Sequence, residues 1–149
     1  MNSAAAGGLN WQTQAEGRQM FKDTKAFSSF SVDDLEKAKE FYGQTLGLDV
    51  EETPEGLVLH IAGGTGVFIY PSDNYTAPKH TVLNFPVDDI DAAVDELVRR
   101  GVRMEQYDMP GLKTDERGVF RGDAGDVGPR AIAWFKDPAD HVLSVLQET

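Results

Sequence analysis

The chain has no cysteine. That excludes a disulfide framework, a thiol nucleophile and any thiolate-bound metal, and it fits a reducing compartment such as the cytoplasm. Basic residues are scarce: 14 Lys and Arg stand against 25 Asp and Glu, a formal net charge of −11. So acidic a surface repels phosphate backbones and anionic lipid, which argues against nucleic-acid or membrane partners. The 3 histidines, His60, His80 and His141, are spaced in no metal-ligand motif. Long apolar runs are also missing, and nothing approaches the ~20 residues of a membrane span. Residues 1–19, MNSAAAGGLNWQTQAEGRQ, lack the basic start and apolar stretch of a signal peptide. They read as a flexible leader or vector-derived extension, with an ordered arm on a second subunit as the alternative.

What is present is a sentence written twice. Residues 26–42 read AFSSFSVDDLEKAKEFY and residues 81–97 read TVLNFPVDDIDAAVDEL. Phe30/Phe85, Val32/Val87, Asp33/Asp88, Asp34/Asp89 and Leu35/Ile90 all recur at an offset of 55. Each copy is a strand signal, an acidic pair and a helix signal. The remaining 20–149 is the length of a single domain, long enough to bury roughly 70% of its unfolded surface without staples.

Read in order, Phe27–Val32 alternates as a strand, and Asp33 with Glu36 three residues on forms a capping-box pattern. Leu35, Ala38, Phe41, Tyr42 and Leu46 recur at helical spacing up to Gly47. Strands are expected at 48–53, 57–62 and 67–70, separated by turn residues. The second module repeats the order. Thr81–Val87 is a strand, Asp88 caps a helix striped by Ile90, Ala93, Val94, Leu97 and Val98, and Val102–Tyr107 resumes as a strand. Ala131–Lys136 and His141–Leu146 form a closing hairpin around Asp137-Pro138-Ala139-Asp140. The expected fold is α+β: two βαβββ modules, 25–72 and 80–148, forming a curved, half-open mixed sheet around a cleft. Residues 108–130, rich in glycine, read as an irregular loop or lid.

The V-D-D-[LI] junctions, the helix end Phe41-Tyr42…Leu46-Gly47-Leu48 and the closing F-K-D-P-A-D-H-V-L-S-V run over about residues 25–148 resemble the vicinal oxygen chelate superfamily. That group includes glyoxalases, extradiol dioxygenases, fosfomycin-resistance enzymes and bleomycin-resistance proteins. The resemblance implies a fold, a cleft between sheets and, in many members, a homodimer, but not one function. In metal-dependent members the first and fourth strands of each module supply His or Glu ligands. Carried onto this chain, those positions are Phe27, Phe68, Val82 and Ser144. Phenylalanine and valine have no donor atoms, and one hydroxyl is a poor ligand, so the sequence predicts no metal and no other cofactor.

Strand parity then gives the cleft its lining. Phe27, Ser29, Val58, His60, Phe68, Tyr70, Val82, Asn84, Ile132, Trp134, Val142, Ser144 and Leu146 should face inward. Rings and aliphatic walls with a few hydrogen-bonding groups match a small-molecule pocket. Aromatic faces favour planar or conjugated ligands, each pair contributing ~0.5–1.5 kcal/mol beyond area burial. The bland alternative is that the rings only fill core. The expectation is a metal-free protein that sequesters an aromatic ligand, with Arg121 or Arg130 of the loop able to meet an anionic group. A metal-independent isomerase or lyase, with His60 as general base and Tyr70 or Asn84 on a developing oxyanion, is the second reading. A glyoxalase- or dioxygenase-type metalloenzyme is the third.

Overall fold

The computed structural model describes residues 21–122 and 130–148; the leader and the middle of the predicted lid lie outside them. Two four-stranded mixed sheets carry the architecture. In the first module β1 (Ser28–Val32) leads into α1 (Leu35–Lys39) and a wider π-helical segment (Glu40–Thr45), then β2 (Asp49–Thr53), β3 (Gly56–His60) and β4 (Gly66–Pro71). The strand order is β1-β4-β3-β2, with β1 parallel to β4 and the other pairs antiparallel. The second module runs β5 (Thr81–Pro86), α2 (Ile90–Arg99), a small hairpin of β6 (Asp108–Met109) and β7 (Leu112–Lys113), then β8 (Val119–Arg121), β9 (Ala131–Lys136) and β10 (Val142–Gln147). Its order, β5-β10-β9-β8, mirrors the first. The α+β duplication expected from the repeated sentence is the one observed.

Three local expectations need correction. The helix caps are Asp34 and Asp89, one residue later than Asp33 and Asp88. Each sits in an extended conformation, and its carboxylate accepts from the N–H groups of the second and third helical residues. One extra extended residue lets the chain leave the strand before it coils. Val102–Tyr107 is not a strand: it touches the sheet at one bridge, Met104 with Phe135, and through Glu105 N–H donating to the Trp134 carbonyl at 2.8 Å. The outer strand of that sheet is instead β8, inside the stretch expected to be irregular. Its entry depends on Gly118, at φ 88, where an added Cβ would stand 2.7 Å from the Glu105 carbonyl oxygen.

Both helices lie on one side of the sheets, and one apolar core runs through the two modules, from Val32, Tyr42, Leu59 and Ile69 to Ile90, Val94, Phe135 and Leu143. The seam between modules is polar and buried. The Tyr42 hydroxyl, delivered by the π-helical segment, donates to Asp137 Oδ2 at 2.6 Å. Asp137 Oδ1 accepts from the N–H groups of Ala139 and His141, which shapes the β9–β10 turn. His141, 1% exposed, donates from Nε2 to the Ser31 carbonyl at 2.7 Å and packs on Phe30 with ring centroids 4.4 Å apart. Burial pushes the Asp137 carboxyl above its ordinary value, although the donors from Tyr42, His141 and Ala139 pull it back. Burial first, and then the facing Asp137 charge, drive the Tyr42 phenol well above the tyrosine range.

Candidate functional site

With the helices and shared core on one side, the opposite sheet faces are left open. In the first module the register places Ser29, Phe68, Val58 and Glu51 in one row across all four strands. Ser31 and Tyr70 form a second row, and Gly66, His60 and Asp49 a third. Phe68 and Tyr70, two residues apart on β4, stack with centroids 5.9 Å apart and planes inclined by 18°. Tyr70 is 39% exposed; Phe27, just before β1 rather than within it, is 62% exposed. Exposed rings in such a group are unusual on a surface that only faces water.

His60 stands at the end of this face. Its Nε2 is 2.7 Å from Glu51 Oε1 across the β2–β3 pair, and both side chains are about half exposed. With Glu51 accepting from Nε2–H, the lone pair of Nδ1 is left facing away from the pair. Glu51 was not among the residues singled out from the sequence. It could have been found by applying the strand alternation to β2 as well as to its partners.

The second module presents a different surface. Asn84, Ser144 and Trp134 form one row, with Leu146, Ile132 and Phe120 beside it. The Trp134 indole N–H reaches over the central β10 to donate to Thr81 Oγ1 on β5, at 3.2 Å. The ring therefore lies across β10, and Ser144 beneath it is 0% exposed. Tyr107 packs edge-on against the indole, with centroids 5.4 Å apart. Burial, followed by the Glu105 charge, raises the Tyr107 phenol and keeps it a neutral donor. Val82 falls at a bulge where the β5–β10 register slips, half-buried and next to this row rather than in it. Tyr107, Phe120 and Thr81 were missed because the stretch around them read as loop or strand end.

The two open faces do not adjoin through strand pairing; no strand of one sheet pairs with a strand of the other among the described residues. Nor does Arg121 reach either face. It alternates with Phe120 on β8, so it points to the helix side, where it pairs with Asp91 at 2.7 Å. There it and Arg130 help line a depression of about 460 Å³ at the start of α2, together with Asp88, Asp89 and Asp91. Arg117 ties the β7–β8 turn to α2 through Asp91 and Asp95.

Neither face gathers a donor set suited to a divalent ion among the described residues. The four positions where metal-dependent relatives would place ligands hold Phe27, Phe68, Val82 and Ser144. No group of three or more His, Asp or Glu side chains among the described residues converges as a metal cage. Also among them, no helix is long and apolar enough to cross a membrane.

Paired βαβββ modules, each folded into its own four-stranded mixed sheet with one face clear of the helices, define a duplicated α+β protein. The chain belongs to the glyoxalase/bleomycin resistance protein/dioxygenase superfamily, whose family model matches residues 26–145. No curated protein matches the chain significantly. Among solved structures, TnmS3, an antibiotic-binding protein from a Streptomyces species, is 25% identical with a TM-score of 0.55, over 85% of this chain and 98% of that one. A glyoxalase family protein from Enterococcus faecalis is 20% identical with a TM-score of 0.60, over 86% and 99%. The fosfomycin resistance protein FosX from Listeria monocytogenes is 16% identical with a TM-score of 0.61, over 85% and 94%. The last two likenesses establish fold alone.

Proposed function

We propose that this protein binds and sequesters a planar aromatic or conjugated small molecule, without a metal. The observation that carries the reading is the Phe68–Tyr70 stack on the open face, Tyr70 exposed and Phe68 half-buried, with Phe68 and the exposed Phe27 at positions where a metal-dependent relative would carry ligands. Stacked, solvent-facing rings give a ligand a flat surface that water leaves readily. The likeness to an antibiotic-binding protein supports a ligand of that class. The net charge of −11 favours a neutral or cationic molecule over an anion.

A homodimer completes the site in this reading. One chain exposes two different ring-bearing faces that no strand pairing brings together. Setting the first-module face of one copy against the second-module face of another encloses two equivalent clefts and covers both surfaces. Light scattering should give twice the mass of the chain. Thermal-shift and calorimetric titration against aromatic antibiotics and metabolites should find a saturable binder that Phe68→Ala and Tyr70→Ala each weaken about tenfold or more. If no member of a broad aromatic panel saturates the protein, sequestration is wrong.

The His60–Glu51 pair favours a second reading. A carboxylate that orients an imidazole is the arrangement of a general base, and a proton abstraction beside a ligand carbonyl needs no metal. His60→Ala separates the two: under sequestration it leaves the ligand unaltered and bound, whereas under catalysis it abolishes turnover of a bound compound.

A further inference from the structure

The row Asn84–Ser144–Trp134 carries more information than a hydrophobic wall. Ser144 is fully buried, and its hydroxyl donates to Asn84 Oδ1 at 2.6 Å. Asn84 is the acceptor that this hydroxyl reaches among the described residues. Turning the amide over would strand the hydroxyl proton in a dry place, which costs more than the bond itself yields. The serine therefore fixes which way the amide points. With Oδ1 held against the sheet, the two N–H donors of the exposed Asn84 side chain point away from it, to the open face. Trp134 adds a ring but no donor, because its N–H is already engaged by Thr81.

From this we infer that Asn84, positioned by Ser144, is the donor that orients the ligand, and that the ligand is a neutral planar ring system bearing an acceptor oxygen of the carbonyl class. The inference rests on the reading of these faces as a binding site. The ring of Trp134 receives the flat part of the molecule, and the Asn84 amide receives its oxygen. The acidity of the protein disfavours a carboxylate in the same place and leaves an uncharged carbonyl as the fitting acceptor.

The test uses two probes that differ by one carbonyl, 9-fluorenone and fluorene. They are titrated by quenching of Trp134 emission in a Trp11→Phe background. Fluorenone should bind about tenfold more tightly than fluorene. Asn84→Asp still accepts the Ser144 proton but turns the exposed donors into a charge, and it should erase or reverse that preference while fluorene binding stays within about twofold. Ser144→Ala, which frees the amide to rotate, should shrink the preference without abolishing binding of either probe. Equal binding of the two probes to the parent protein, or a preference that survives in both variants, overturns the inference and leaves the ring-face reading standing. Binding of neither probe overturns the inference, and the ring-face reading falls with it when the broad aromatic panel also yields no saturable binder.

Discussion

The hydroxyl of Tyr42 offers the sharpest quantitative test of how the modules are joined. Tyr42→Phe removes one oxygen and nothing else from a fully buried ring, so it opens no cavity of consequence. It deletes a 2.6 Å hydrogen bond to the Asp137 carboxylate, whose other oxygen keeps its two backbone donors. Hydrogen bonds to charged groups contribute about 1.5–3 kcal/mol when the acceptor stays buried. For a chain of this length that corresponds to a fall in Tm of roughly 3–12 °C. Urea denaturation, with a double-mutant cycle through Asp137→Asn, measures the coupling directly. The pH dependence is set by the raised Asp137 carboxyl. Between its unfolded value, ~3.9, and its higher folded value, the folded chain holds a proton that the unfolded chain has released. The stability contributed by this group is thus complete below the unfolded value and is lost as pH rises through the folded one. The stability of the parent relative to Asp137→Asn should decline as pH climbs through that window, and Tyr42→Phe should move the decline to higher pH. A loss below ~0.5 kcal/mol with no coupling to Asp137 would refute this account of the seam.

Other perturbations probe separate parts of the fold. Gly118→Ala should destabilise by more than the ~1–2 kcal/mol of its left-handed backbone alone, since the new methyl meets the Glu105 carbonyl; calorimetric Tm checks it. Asp89→Ala should cost ~1 kcal/mol by loss of the α2 cap, whereas Asp88→Ala should cost little, and denaturation curves of the two variants reverse that order if the cap is misassigned. Val82→His with Phe68→His, meant to supply ion-binding groups at two family positions, should not yield stoichiometric zinc by elemental analysis, because two ligands without a third donor make no closed site.

Much of the architecture was legible because it is periodic. The doubled junction, the stripe Ile90-Val94-Leu97 and the alternation of β4 and β9 each express burial on one face, and burial is what sequence records. The cap positions were legible only to within a residue, since Asp33-Asp34 and Asp88-Asp89 offer two equally good carboxylates and the strand's exit angle chooses between them. The π-helical segment left no sequence mark. Its signature is a Leu46 N–H donating to the Phe41 carbonyl, five residues back, and the tertiary bond of Tyr42 to Asp137 accompanies it. The outer strand β8 is three residues long, too short to show a period, whereas Val102–Tyr107 is long enough to read as a strand by its alternating Val102 and Met104. At the candidate site, strand alternation groups Phe68 with Ser29 and Val58, and Trp134 with Asn84 and Ser144, as the register has them. It could not reveal that Trp134 would lie across β10 and bury Ser144, because that depends on the reach of one side chain over a neighbouring strand.

The detour between α2 and β8 has a practical meaning for anyone wishing to modify the protein. It departs from the rim of β9 at Met104 and rejoins the same rim at Val119, opposite Phe135 and Ala133 respectively. Whatever lies between those anchor points can be lengthened, trimmed or replaced at the tip, around Pro110 and Gly111, while the sheet keeps its pairing. Evolution and engineers alike are thus handed a socket next to Trp134, through Tyr107, in which new sequence alters what approaches the indole without renegotiating the scaffold.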